Sequence, residues 1–311
     1  MKTVLPLIST ALFATCMLAL AACGKGYGTD LAVESGASPE VGRTTTPTNV
    51  STSASPLRVT VIDVGKGDCI LLQSGGEAIL IDTGYEDTAE DVLSCLRAQG
   101  IDHLDALIIT HYDRDHIDGI RPIGEAVSMN VCYLPGYEGS DKNYHACVEA
   151  VAALGVPTKR VTEELVLHLG NARLTVFPSG VAYVPGSGKT EGNDNDMSLV
   201  STLANGQDSY LFVGDLEEDG IDAYLAANHG RFDVLKMPHH GQQAKNTSEL
   251  LDDARPKIAV ITDGQKDPAS KKTLKLLKSA DIETYRTSVD GTVVIDSDGS
   301  GAYSVSLPAD E

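Results

Sequence analysis

An apolar run, Ala106-Leu107-Ile108-Ile109-Thr110, ends directly in His111-Tyr112-Asp113-Arg114-Asp115-His116. Two imidazoles and two carboxylates therefore stand within six residues at the mouth of a predicted strand. Such donors suit zinc, manganese or iron, and alternating side chains leaving a strand can project toward one point. Two further predicted strands carry the same donor types at their carboxyl ends. Tyr210 to Val213 runs into Gly214-Asp215, and Val234 to Pro238 runs into His239-His240-Gly241. A fourth, Ala78 to Ile81, supplies Asp82, either as a ligand or as an acceptor that orients an imidazole from behind. An isolated His-x-Asp reads as a solvated turn with a helix-capping Asp. Three strand ends converging on ligand types read as a metal centre. A divalent ion there would lower the pKa of its water from about 15.7 toward about 7 and stabilise charge on an attacked phosphoryl or carbonyl oxygen.

These ends need a sheet framework to hold them. Short β-rich runs recur at Val59 to Val64, Ile70 to Leu72, Ala78 to Ile81, Ala106 to Thr110, Val131 to Leu134, Leu174 to Phe177, Leu199 to Leu203, Tyr210 to Val213, Val234 to Met237, Ile258 to Ile261 and Thr292 to Ile295. Thr88 is placed to cap a helix whose Val92, Leu93 and Leu96 share one face and which Gly100 ends. A second helix is expected before Gly155, carrying Tyr144, Val148 and Val151, and a third from about Ser270 to Ala280. Tight turns such as Val64-Gly65-Lys66-Gly67-Asp68 join the early strands, whereas later strands alternate with helices. The expected architecture is layered α/β, with helices covering two sheets.

Outside this framework the chain has other tasks. Lys2, an apolar run from Val4 to Leu20 and the closing Leu20-Ala21-Ala22-Cys23 have the layout of a lipoprotein signal over residues 1–22, with Cys23 lipidated. Residues 23–56 are rich in Ser and Thr and nearly devoid of large apolar side chains, a composition expected of a flexible tether. A single domain follows over 57–298, then an acidic tail over 299–311. Past the signal no apolar run approaches 20 residues, so no transmembrane helix is expected in the mature chain. With 42% apolar residues the composition excludes a disordered or fibrous protein. The 44 Asp and Glu against 24 Lys and Arg give a net charge of -20, which opposes non-specific binding of polyanions. Cys69, Cys95, Cys132 and Cys147 lack Cys-x-x-Cys spacing, so they read as buried thiols or disulfides rather than a zinc site. Gly186-Ser187-Gly188-Lys189-Thr190 lacks the upstream Gly and the feeding strand of a nucleotide-binding loop. His103, His145, His168 and His229 have no partnered ligand spacing, and Lys271, Lys275 and Lys278 read as a solvated helix face.

The order Ile81-Asp82-Thr83-Gly84, His111 to His116, Gly214-Asp215 and His239-His240-Gly241 resembles the metallo-β-lactamase superfamily, and more closely the hydrolase domain of ComEC competence proteins. The narrower resemblance rests on Ile62 to Asp68, Thr110 to Gly119, Asn195 to Val200, Val213 to Leu216, Asp233 to Gly241, and Tyr285-Arg286-Thr287 before Asp290-Gly291. It implies an αββα sandwich with one or two divalent ions, zinc or manganese, at an edge between the sheets. By the same resemblance His111 and Asp113 belong to one metal position and Asp115 and His116 to the other, Asp215 bridges, and the His239-His240 pair completes the site. Asp115 is expected also to hold the nucleophilic water, and Asn195, Ser198 and Lys236 to meet substrate oxygens. Two departures bear on the first position: the superfamily usually has His where Asp113 stands, and its further His has no match near Asn195 and Ser198. That position is left weak, empty or filled by a harder ion. Asp267 before Pro268 departs from the His-Pro often found there.

The resemblance implies a metal-dependent hydrolase cleaving phosphoester bonds, a phosphodiesterase or nuclease tethered outside the cytoplasm to the bacterial cell membrane, with extracellular DNA as the suggested substrate. Without the membrane helices of a ComEC channel it is not expected to be a DNA pore. The acidic balance favours an alternative, a hydrolase of a small envelope phosphodiester or other ester. A non-catalytic, metal-stabilised surface binding module is the third reading.

Overall fold

The computed structural model describes residues 55–139, 142–182 and 194–308. The signal, nearly all of the tether and the Gly186 to Thr190 segment lie outside them. Among the described residues eight strands form one sheet, in the order Tyr303–Ser306, Val293–Ser297, Leu57–Val61, Ile70–Ser74, Glu77–Ile81, Ala106–Ile108, Cys132–Pro135 and Thr158–Val161. Seven form another, in the order Glu283–Arg286, Ile258–Ile261, Val234–Lys236, Asp208–Phe212, Leu199–Asn205, Ala172–Pro178 and Leu165–Leu169.

Period-two patterning assigns each strand's faces. Leu57, Val59 and Val61 enter a core between the sheets with Ile70, Leu72, Ile79 and Ile81, and meet Leu174, Leu203, Tyr210 and Val260 from the other sheet. The alternate residues Leu71, Ala78 and Leu80 turn outward beneath the helices Ala89–Ala98, Ile120–Ala126 and Lys142–Leu154. On the far side Leu211, Leu235 and Ala259 pack under Glu218–Ala227, Thr247–Ala254 and Lys271–Ser279. Each fully buried Leu or Ile contributes about 1.5–3 kcal/mol, and a one-residue slip would reverse both faces, so register is tightly fixed. The layering is helix, sheet, sheet, helix, the αββα arrangement expected.

The eleven expected strands all form, within a few residues of their bounds. Thr88 precedes its helix, but its hydroxyl donates to Tyr85 O (3.1 Å) instead of capping the helix amides. Ser270 does cap, accepting from Lys272 N. One boundary is corrected: Tyr303–Ser306, inside the segment read as an acidic tail, pairs antiparallel with Val293–Ser297 and extends the first sheet beyond residue 298. Gly299 and Gly301 N–H groups donate to Asp208, so an acidic residue here anchors the return of the chain. The four cysteines beyond Cys23 are free, with Cys69, Cys132 and Cys147 buried in the helix-covered layer of the first sheet.

Candidate metal centre

The chain reverses into short turns where Ala106–Ile108, Asp208–Phe212 and Val234–Lys236 end, and these turns bring the donors together. Ligand atoms of Asp115, His116, Asp215 and His240 all lie within 4.8 Å of one another, and all four residues are buried. His240 Nε2 is 2.8 Å from Asp215 Oδ2 and 3.4 Å from Asp115 Oδ2, and His116 Nε2 is 3.3 Å from Asp215 Oδ2.

Hydrogen bonds behind the imidazoles fix which nitrogen faces the cluster. His116 Nδ1 lies 2.8 Å from Asp82 Oδ2, so its N–H donates there and Nε2 faces the other ligands. Asp82 is fully buried and accepts also from Thr110 N (2.8 Å) and Thr110 Oγ1 (2.6 Å). Because that hydroxyl proton goes to Asp82, Thr110 Oγ1 is left to accept from His111 Nδ1 at 3.0 Å. One carboxylate thus orients two imidazoles, directly and through a threonine. His240 has its own relay: Nδ1 donates to Thr262 Oγ1 (3.0 Å), which donates to Asp68 Oδ1 (2.7 Å). Among the described residues no well-formed hydrogen bond reaches the buried Nε2 atoms of His111, His116 and His240, which lie against carboxylate oxygens instead. Buried imidazole nitrogens facing two buried carboxylates are a donor set that fits a divalent ion.

Electrostatics agree. Burial opposes charge on His116, yet Asp215 and Asp82 raise its pKa well above the ordinary imidazole value. His240 is similarly desolvated but is pushed up to about 9 by Asp215, Asp115 and Asp68. Burial alone would raise the Asp215 pKa; His240, His116 and Lys236 hold it well below the carboxylate range. Without an ion, protons on the histidines take the place of positive charge.

Close backbone approach keeps the turns in place. A Cβ on Gly67 would lie 2.5 Å from Asp115 O, and one on Gly214 (φ +51°) would lie 2.7 Å from Ser198 Cβ. The first is the floor under Asp115; the second presses Asp215's turn against Ser198, just before the strand Leu199–Asn205.

The remaining sequence candidates are placed differently. His111 is buried beside His116, with ring centroids 4.1 Å apart, but its Nε2 reaches Asp113 Oδ2 only at 3.8 Å, and the Asp113 side chain is 43% exposed. His239 leaves the cluster: its Nδ1 lies 3.1 Å from Glu217 Oε1, so His240 alone of the pair joins the ligands. Residues 239 and 240 both have positive φ, +44° and +51°, and this left-handed hook sends adjacent side chains to different places.

Two expected substrate contacts, Lys236 and Ser198, are corrected by their depth. Lys236 has a side chain only 1% exposed, and its ammonium pairs with Asp68, Asp215 Oδ1 (3.3 Å) and Gly214 O (3.0 Å). It balances charge beneath the site. Ser198 is fully buried; its Oγ accepts from Asp215 N (3.1 Å) and approaches His111 Nδ1 at 3.3 Å. Asn195 Nδ2 donates to Glu217 Oε1 at 3.0 Å. Motif order put Lys236 and Ser198 near the centre but did not report their depth, and half-buried Asn195 stays at the surface side. Sequence reading quoted Lys66 and Asp68 within a motif but gave no site role to them or to Thr262, although Asp68 and Thr262 align His240 and Lys66 Nζ lies 2.7 Å from Asp115 Oδ2. A polar residue inside an otherwise apolar strand end was the available signal for Lys236 and Thr262.

A two-sheet sandwich with buried His and Asp donors at its strand ends defines a metal-binding hydrolase fold, and the chain belongs to the metallo-beta-lactamase superfamily, which it matches over residues 62–262. Among curated proteins it is similar to ComE operon protein 3 of Bacillus subtilis, with 28% identity over 76% of this chain and 32% of that protein. It is likewise 28% identical to Recombination protein 2 of Haemophilus influenzae, over 76% of this chain and 28% of that one. The chain thus spans about a third or less of each relative's length. Among solved structures, the metallo-beta-lactamase fold protein YhfI from Bacillus subtilis shares the fold at a TM-score of 0.52 and 18% identity, covering 78% of this chain and all of YhfI.

Proposed function

We propose that this superfamily hydrolase is a metal-dependent phosphodiesterase, held by lipidated Cys23 on the outer face of the bacterial cell membrane, with a DNA strand as its substrate. The observation that carries the metal-dependent reading is the buried set of imidazole Nε2 atoms facing Asp115 and Asp215, and the resemblance to competence-protein hydrolase domains supports a phosphodiester as the bond cleaved. A divalent ion, zinc or manganese, bound by Asp115, His116, Asp215 and His240 supplies activated water and electrostatic stabilisation of the attacked phosphoryl group. The chain's own residues prepare that site. Asp82 and the Thr262–Asp68 relay hold the imidazoles in the ligating orientation, and Lys236 keeps Asp215 and Asp68 ionised at depth. His111 and Asp113 offer a shallower second position. Similarity to competence proteins supports DNA as substrate. The net charge of -20 supports a small envelope phosphodiester as the second reading.

Purified protein loaded with manganese or zinc is expected to cleave both linear DNA and bis(p-nitrophenyl) phosphate, and His111→Ala and Asp215→Ala to stop it. Cleavage of the small diester alone replaces DNA with an envelope substrate. No turnover of any ester, with tight binding of a partner instead, supports a binding module and overturns the enzyme. Cys23→Ser is expected to move the protein from membrane to medium; unchanged membrane association overturns the anchor.

A further inference from the structure

Two lysines flank the cluster, and their surroundings differ. Lys236 lies under it, enclosed by Asp68, Asp215 and Gly214 O. Lys66 lies at its rim, with 28% of the side chain exposed, on the wall of a cleft of about 430 Å³ that Tyr85, Lys266, Gln265 and Ser288 also line. Its backbone has little freedom. Gly67 N donates to Thr262 O (3.4 Å), Asp68 N donates to Asp115 O (3.2 Å), and a Cβ on Gly264 would come within 2.9 Å of Lys66 N. The turn is wedged between the Asp115 backbone and the segment after Ile258–Ile261. Main-chain contacts thus fix the Lys66 backbone beside the cluster, and the ion pair with Asp115 aims its ammonium.

That ion pair is with Asp115 Oδ2, the oxygen that also faces His240 Nε2 at 3.4 Å. Asp115 Oδ2, itself one of the clustered ligand atoms, thus pairs with a partly exposed cation, and Lys66 is the residue that joins the cleft wall to the cluster. Three carboxylates, Asp63, Asp91 and Asp267, line this cleft too, so an anion entering it needs a positioned cation to offset them. Cations fixed where phosphoryl charge gathers stabilise it without reorganising.

We propose that Lys66 forms a phosphate subsite, its ammonium pairing with a non-bridging oxygen of a substrate phosphate at the metal centre while Asp115 keeps the side chain aimed. As an ester-phosphate contact the subsite rests on the phosphodiesterase reading; as an anion site it is tested separately. Lys66 is then a substrate-binding residue, and Lys266 across the cleft is not required for it.

The test uses full-length protein, wild type, Lys66→Ala and Lys66→Arg, each loaded with manganese. Manganese content is measured, inorganic phosphate is titrated by calorimetry, and turnover of bis(p-nitrophenyl) phosphate is followed. The expected result is unchanged manganese content in all three, phosphate affinity at least about tenfold weaker in Lys66→Ala with a raised KM, and recovery of most of both in Lys66→Arg. Phosphate binding as tight in Lys66→Ala as in wild type overturns the subsite. Loss of manganese from Lys66→Ala also overturns it, because the lysine would then serve only to hold Asp115. Wild type that binds phosphate through Lys66 but hydrolyses no ester retains the subsite and removes the phosphodiesterase reading; wild type that binds no phosphate overturns the subsite.

Discussion

His111 and Asp113 leave the same strand end as Asp115 and His116, yet the two pairs meet different surroundings. Asp115 and His116 face Asp215 and His240 in a buried group of four. His111 faces a half-exposed Asp113 and the hydroxyl of Ser198, where a further imidazole would be needed to complete a second set of the same kind. Donor type alone therefore does not define a binding position; depth and the number of convergent atoms do. The deep group is expected to retain an ion that the shallow pair releases readily.

Removing the shared carboxylate is the most severe way to break that contrast. Asp215→Ala is expected to abolish retained metal and reduce hydrolysis roughly 1000-fold, about 4 kcal/mol of transition-state stabilisation, checked by metal analysis and steady-state rates. Next in size is Lys236→Ala, which strands Asp68 and Asp215 as unpaired buried charges and is expected to cost about 3–5 kcal/mol in chemical denaturation. Asp82→Asn is expected to weaken the deep position about 10- to 100-fold by competitive chelator titration, because the partner that orients His116 becomes a weaker acceptor.

Acidity should sharpen the contrast. The raised pKa values of His116 and His240 favour the metal-free fold fully below the unfolded imidazole value of 6.5, and this contribution disappears as pH rises through about 9 for His240. Metal-free protein is thus expected to lose stability between pH 6.5 and 9. Bound metal requires the same nitrogens deprotonated, so the gain in melting temperature on adding zinc should grow over that interval. Parallel melting curves, with no widening toward alkaline pH, would remove His240 from the ligand set. The smallest effect is expected from Asp113→Ala: less than about a threefold change in affinity of the retained ion, on the scale of ordinary surface substitutions.

Much of this arrangement was legible in the chain. Apolar runs such as Ala78 to Ile81 and Tyr210 to Val213 are strands because both faces are covered, and the donors beyond them mark the edge where the sheets' ends open. Less visible were Thr158–Val161, Glu283–Arg286 and Tyr303–Ser306, edge or near-edge strands with polar residues on an exposed face. Their place comes from pairing with a neighbour, which local periodicity does not report. The choice between His239 and His240 was hidden for a related reason: a left-handed hook, not residue type, decides which ring turns inward. Lys236 looked like a substrate contact because motif order sets it just before the His239-His240 pair; only the tertiary positions of Asp68 and Asp215 make it an interior residue.

The four thiols behind the first sheet bear on which elements the protein can discriminate. Burial raises the pKa of Cys69 and Cys132 well above that of a free thiol, pushes Cys147 up to about 12 and raises Cys95 as well. Kept protonated, their sulfurs are poor traps for copper(I) or cadmium. Among the described residues the donors gathered at the strand ends are consequently nitrogen and oxygen, so a thiophilic ion would find no thiolate there to outcompete the harder ions.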